Sequence, residues 1–287
     1  MVKEIHAVDT GFDYKARKGQ TPVLSDFDEL IDYDCDIYHN GTVVCSYRRL
    51  PKEQLALLAA CTKQAKCAKS ARTNGVNQMS AVYGALPRVA VREDYCRFSA
   101  QTKAQPEVFN GLTKVGHYLW GVYQSTFPEV AKEFTKFVAG IEDDWKKTGT
   151  PFTTVNVNKN FAIGYHKDAA NFGGVYSNVL ISKRNADGGY FVMPQFRLAL
   201  KQSHGALVII DGVNIPHGVT QIVPKSANWE RSSVVFYTLS NLQHCLPKGG
   251  ELLRSKAKAT ERARKRALGA DPRVSNAKAD LIGPSHL

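Results

Sequence analysis

Between Thr150 and Cys245 the chain breaks into short β-rich runs, FTTVNVN, VYSNVLIS, GGYFVM, FRLAL, GALVIID, GVTQIV and SSVVFYTL, separated by Gly, Pro, Asn and Asp. Runs this short are too brief for helices, and their turn residues interrupt any longer period. A succession of such strands has to bury one face of each, which an all-β sandwich or barrel does.

The residues before this segment read differently. Asp36 to Arg48 reads as a hairpin turning at Asn40-Gly41. A helix is expected to open at Pro51, where proline suits the first turn, and to continue through EQLALLAACTKQAKCAK. Two more are expected near 106–125 and 127–146. In the second, Val130, Phe134, Phe137, Val138 and Ile141 recur at helical spacing, the mark of a packed face. Glycine and proline at Gly84 and Pro87 mark turns. The reading divides the chain into a helical and mixed region (1–149) packing on a β core (150–247), followed by a basic helix and frayed tail (248–287).

With 287 residues the chain can bury a sizeable core. No run of about 18 apolar residues is present, so no membrane partner is expected. The opening MVKEIHAVDTGF lacks an apolar secretory core, and a cytoplasmic or nuclear protein that is not secreted is expected. The six cysteines, Cys35, Cys45, Cys61, Cys67, Cys96 and Cys245, have no zinc-type spacing and are read as reduced, buried thiols. The net charge of +12 points to a polyanionic partner. Nine basic and three acidic residues between Lys248 and Arg273 carry half of it.

The chemistry-bearing residues sit in the β-rich segment. In Tyr165-His166-Lys167-Asp168, residues two apart on a strand would share a face, so His166 and Asp168 would point to one place. His217, after the run GALVIID, can supply a third ligand. Two imidazoles and one carboxylate form a facial set that leaves coordination positions open on a divalent metal. Arg231, fourteen residues after His217, opens Arg231-Ser232-Ser233-Val234-Val235-Phe236-Tyr237. On a strand, Arg231, Ser233 and Tyr237 share a face. A guanidinium grips a carboxylate bidentately, and the serine hydroxyl can join it.

His-x-Asp, then His, then Arg-x-Ser, all within a β-rich segment, resembles the double-stranded β-helix dioxygenases. His166-Lys-Asp168-Ala-Ala-Asn171, the strand Arg231 to Tyr237, Ser80-Ala-Val-Tyr-Gly84, Pro87-Arg88 and Asp94-Tyr-Cys-Arg97 narrow the resemblance to the TET/JBP branch over roughly 75–245. The resemblance implies an α+β fold, with a jelly-roll, cupin-like double-stranded β-helix flanked by N-terminal helices. It implies iron(II) on His166, Asp168 and His217, with 2-oxoglutarate on Arg231 and Ser233 and O2 as co-substrate. It implies a flipped base in methylated DNA, met by Asn171 and Tyr237, and oxidation of 5-methylcytosine to 5-hydroxymethylcytosine or beyond it, by a monomeric enzyme. Leu239 departs from the pattern, standing where metazoan TET proteins carry a pocket histidine. The alternatives are thymine or N-methyladenine oxidation, a protein or small-molecule hydroxylase of the same fold, and a DNA-binding barrel without activity.

Overall fold

A computed structural model describes residues 2–71, 77–89 and 94–269. The first part of the chain forms β1 (Lys3–His6), α1 (Tyr14–Arg17), β2 (Glu29–Ile31), β3 (Cys35–His39), β4 (Thr42–Arg49), α2 (Lys52–Gln64), β5 (Ala68–Ala71), β6 (Asn77–Leu86) and β7 (Arg97–Phe98). Helices α3 (Ala100–Ala104), α4 (Pro106–Thr126) and α5 (Pro128–Ala139) follow. Next come β8 (Thr154–Lys159), β9 (Ser177–Arg184), β10 (Ala186–Gly188), β11 (Phe191–Met193), β12 (Leu198–Leu200), β13 (Ala206–Ile210), β14 (Gly218–Val219), β15 (Ile222–Pro224) and β16 (Glu230–Tyr237). Helix α6 (Lys248–Ala267) closes the described chain.

The large sheet runs β1-β3-β4-β13-β9-β16-β8-β6-β5, with β7 against β6. A second sheet, β14-β11-β12-β2, faces it, and β10 and β15 form a separate ribbon. The two facing sheets make the jelly roll, and the helices complete the α+β fold. β4 pairs with β13 and β6 with β8, so the N-terminal region contributes strands to the core's own sheet. The expected boundary at Gly149 therefore falls within one hydrogen-bonded sheet.

Strand alternation sorts the core. On β16, Val234 and Phe236 turn to a cluster shared with Leu112, Val115 and Leu119 of α4 and Phe134 of α5. Gly116 of α4 lies where a Cβ would stand 3.3 Å from the Phe236 ring, so the missing side chain lets the helix settle closely on the sheet. The opposite face of the large sheet packs Ile181, Val208 and Ile210 against Phe191, Met193 and Leu200 of the second sheet. At the β3–β4 turn Asn40 and Gly41 both take positive φ, 50° and 76°, as a two-residue hairpin of primed type needs.

Several expectations are corrected. The helix after Pro51 stops at Gln64, because Ala68–Ala71 finds an antiparallel partner in β6. The helix expected to reach 146 ends at Ala139 with Gly140 as its C-cap. The basic helix begins at Lys248, and the expected fraying of the last dozen residues lies outside the described residues. Cys96 and Cys245 are joined in a disulfide across 149 positions, against the expectation of six reduced thiols. Their meeting is a product of tertiary closure and leaves no local spacing to read. Glu251 of α6 accepts from the backbone N–H of Cys96 and of Leu246, at 2.7 and 2.9 Å, and so holds the two chain segments together. The remaining cysteines are free, and burial pushes the thiols of Cys35, Cys45, Cys61 and Cys67 up.

Candidate metal centre and its cavity

His166 and Asp168 do not lie on a regular strand, which corrects the sequence reading. Their geometry comes instead from a single antiparallel pairing: His166 N–H donates to His217 O at 2.9 Å and His217 N–H donates to His166 O at 3.0 Å. Asp168 N–H donates to Gly212 O at 2.8 Å, which fixes the carboxylate's backbone to the loop that carries His217. One ligand atom from each of the three side chains lies within 4.8 Å of the other two. His166 Nε2 is 3.6 Å from Asp168 Oδ1, and the two imidazole centroids are 4.3 Å apart.

The surroundings fit a metal ion. His166 Nδ1 is 3.0 Å from Gly164 O, and His217 Nδ1 is 2.9 Å from Ile215 O. A carbonyl oxygen only accepts, so each Nδ1 carries a proton and Nε2 is the ring atom left to serve as a metal ligand. This is the arrangement that orients histidine ligands through an outer hydrogen bond. Phe191 stacks on His217 at 5.1 Å and holds the ring's plane. Gly212 leaves the room: a Cβ there would lie 2.6 Å from Asp168 Oδ2 and 3.3 Å from His217 Cε1.

A cavity of about 310 Å³ opens from these residues and is lined also by Arg231, Ser233, Asn171 and Tyr237, so the structure brings all seven sequence-predicted residues together. Arg231 is 1% exposed and lies at the enclosed end. Its Nη2 donates to Gln202 Oε1 and its Nη1 to Phe161 O at 3.4 Å, while Nε has no partner. Among the described residues no carboxylate meets it. Burial pulls its pKa down to about 10, and it remains a cation at neutral pH. Burying an ion without a counter-ion costs several kcal/mol, so this end of the cavity is built for an anion. Two further orphaned polar atoms, Asn156 Oδ1 and Gln202 Nε2, belong to residues lining the same cavity. Gly189, at φ 65°, makes space for the arginine, since a Cβ would lie 3.1 Å from Nε.

The cavity's other end is formed where 170–172 pairs with 238–240: Phe172 N–H donates to Thr238 O and Ser240 N–H to Ala170 O. Asn171 and Leu239 thereby stand opposite one another beside Tyr237. Asn171 Nδ2 donates to Ser177 Oγ at 3.0 Å, which uses one of the amide's two N–H groups. Ser177 in turn points its hydroxyl at Asp168 Oδ2, 3.5 Å away.

Sequence reasoning missed Gly189, Gly212, Gln202, Asn156, Asn158 and Ser177. One signal was available: Asn156 and Asn158 stand two apart and alternate with Val155 and Val157, so both face one side, and a buried polar face implies something polar to meet. Gln202 and the two glycines carry no such pattern, because only the folded approach of other chain segments gives them meaning.

Comparison with known proteins agrees with the fold. Residues 81–240, more than half of the chain, match the Tet_JBP family, described as the oxygenase domain of the 2OGFeDO superfamily. The bifunctional helicase and thymine dioxygenase JBP2 of Trypanosoma brucei brucei is 30% identical over 97 residues, covering 34% of this chain and 9% of that protein. Thymine dioxygenase JBP1 of Leishmania braziliensis is 24% identical over 217 residues, covering 70% of this chain and 26% of that protein. The chain thus matches only 9% and 26% of the length of these two relatives. The solved structure of NgTET1 in complex with 5mC DNA superposes with a TM-score of 0.59 at 12% identity, covering 79% of this chain and 86% of that one.

Proposed function

Because this chain belongs to the Tet_JBP family of oxygenase domains of the 2OGFeDO superfamily, we propose that it oxidises the C5 methyl group of a pyrimidine base in DNA, with 5-methylcytosine as substrate and 5-hydroxymethylcytosine as first product. The observation that carries the reading is the buried, carboxylate-free Arg231 sharing one cavity with His166, Asp168 and His217. In this reading His166, Asp168 and His217 hold iron(II). Iron, 2-oxoglutarate and O2 together supply the oxidising equivalent that exchanges a methyl C–H for C–OH while 2-oxoglutarate becomes succinate and CO2.

The chain's own residues bind, orient and balance charge. Arg231 takes the far carboxylate of the co-substrate, with the Ser233 hydroxyl beside it, and the anion neutralises an ion otherwise buried alone. The orphaned Gln202 Nε2 gains an acceptor in the same act. The enclosed end excludes water around this pair and strengthens it. At the open end, a base extruded from the duplex would place its ring against Tyr237 and its polar edge at Asn171. Asn171 spends one amide N–H on Ser177 and keeps its oxygen and its second N–H, so the oxygen can accept from the 4-amino group of cytosine while the N–H donates to N3.

Thymine is the second reading, favoured by the names of the JBP relatives, which are thymine dioxygenases. Thymine offers an N3–H to the same oxygen and its O4 to the same N–H, so the amide alone does not separate the two bases. Nucleoside mass spectrometry after incubation with iron(II), 2-oxoglutarate and duplexes carrying one modified base separates them. Hydroxymethylcytosine from methylated duplex is the expected product. Hydroxymethyluracil alone transfers the assignment to thymine, and succinate release indifferent to any nucleic acid would refute the base-oxidation reading.

A further inference from the structure

A second cavity, of about 380 Å³, shares no lining residue with the first. It lies between β7, the end of α3, the turn containing Trp145 and the start of α6. Its walls combine two chemistries. Tyr95, Phe98 and Trp145 supply aromatic surface, with the Phe98 and Trp145 rings 5.5 Å apart. Lys103, Lys147 and Lys248 supply positive charge, and all three are exposed at the rim. The Lys147 ammonium lies 5.3 Å from the Phe98 ring centroid, so charge and aromatic face are already side by side.

The negative charge within the lining is already committed, and beside it Asp144 Oδ2 accepts from the Lys248 backbone N–H at 2.7 Å. Glu251 is the acidic residue in the lining, and it is 1% exposed and committed three times over. Arg88 Nη2 donates to it at 2.6 Å, and the backbone N–H groups of Cys96 and Leu246 take the rest. No acidic side chain among the described residues forms an ion pair with any of the three lysines. The cavity is in the size range that holds a small organic group. An aromatic floor under a cationic rim fits a flat heteroaromatic ring carrying a phosphate, the combination by which proteins hold single strands. A purely aliphatic guest would leave the lysines unused, and a bare phosphate would leave the rings unused. Helix α6 leaves from the same rim and carries exposed Lys256, Arg264 and Arg266 further along, which spreads positive charge around the helix beyond the cavity.

We propose that this cavity is a second nucleic-acid site, in which one nucleotide of a single-stranded segment stacks on Tyr95 and Phe98 while Lys103, Lys147 and Lys248 hold its phosphates. The choice of a strand as guest rests on the base-oxidation reading, whereas the cavity's chemistry stands by itself. Such a site would hold the displaced or flanking strand away from the metal centre.

The test uses the full chain carrying His166→Ala/Asp168→Ala, so that the metal centre does not contribute, and an unmethylated oligothymidylate of eight nucleotides with one 5-iodouracil. Photocrosslinking should map to Tyr95, Phe98 or Trp145. Lys103→Ala/Lys147→Ala, at two exposed positions, should weaken binding about tenfold or more at low salt. It should also flatten the slope of log affinity against log salt by roughly 1.4, the share of two phosphate contacts on a single strand. Crosslinks confined to other residues, or an unchanged slope in the double variant, overturn the proposal. So does thymidine monophosphate binding as tightly as the oligonucleotide, or polyglutamate displacing it at equal charge. Because no oxidation is measured, failure here leaves base oxidation standing, and failure of base oxidation leaves this binding result readable.

Discussion

His166 and His217 donate to each other's carbonyls in one closed pair of backbone hydrogen bonds, so the two imidazoles are neighbours across a miniature sheet although 51 positions separate them in the chain (217 − 166). In a pairing of this kind side chains leave on the same face, and that places both rings on one target. The third member, Asp168, is tied through Gly212 to the same loop. The candidate metal centre is thus positioned by main chain, and its side chains inherit that order.

Gly212→Ala tests this directly. The new Cβ would lie 2.6 Å from Asp168 Oδ2, and the flexible carboxylate would swing away. Folding should be little affected, because the displaced group is the tip of a partly exposed side chain. Metal affinity should fall about 10–100-fold, the range for losing the support of a ligand. Calorimetric titration with iron(II) under anaerobic conditions, beside a thermal melt of the apoprotein, reads both. Unchanged affinity would mean that Asp168 is not held where the metal needs it.

Arg231→Met should separate binding from folding. It removes a buried cation that has no counter-ion and keeps most of the side-chain volume, though Gln202 Oε1 then loses its donor. These effects oppose one another, and the apoprotein should stay folded. Binding of 2-oxoglutarate should weaken by about 3 kcal/mol, roughly a hundredfold, as expected for removing one side of a charge-assisted bidentate pair. The measurement is the shift in melting temperature on adding 2-oxoglutarate, which the variant should lose.

How much was legible in the sequence depends on which physical rule placed each residue. Arg231, Ser233, Val235 and Tyr237 were readable because β16 is a regular strand, where a period of two sorts faces without further information. His166 and Asp168 were found through the right spacing but the wrong cause, since their alignment is imposed by His217 and Gly212 across the fold. The hairpin at Asn40-Gly41 was legible because two positive φ angles select those residues. The fate of 65–71 was not, because helix propensity there yields to a strand partner supplied by β6. The disulfide and Gln202 belong to the same class, being products of long-range approach.

Lys183 pairs in register with Arg231 on the neighbouring strand, and its ammonium donates to Gly188 O at 2.8 Å. Burial first, and the Arg231 charge second, bring its pKa down to about 8 from the usual 10.5. The folded protein therefore releases this proton before the unfolded chain does. Between about pH 8 and 10.5 the unfolded state binds more protons, so the lysine's destabilising effect is relieved and its contribution to stability rises with pH. Lys183→Met should remove that rise. Urea midpoints of wild type and variant at pH 7 and pH 10 test it: the difference between the two proteins should narrow as pH increases. A constant difference would show that the lysine titrates normally.

The Cys96–Cys245 disulfide joins the segment before β7 to the turn that leads into α6, where Glu251 also binds Arg88. Closing so long a loop restricts the unfolded chain, and stabilisation of about 2–4 kcal/mol is typical. For a chain of this size that corresponds to roughly 3–7 °C in melting temperature. Treatment with reductant, or Cys96→Ser/Cys245→Ser, should lower the melting temperature by this amount. The cavity beside the disulfide shares no lining residue with the metal centre, so iron(II) should still bind in the reduced protein. Mass spectrometry of the alkylated, non-reduced chain counts the thiols: two fewer alkylations than after reduction are expected. Equal counts would show that both sulfurs are free and would remove the predicted thermal effect with them.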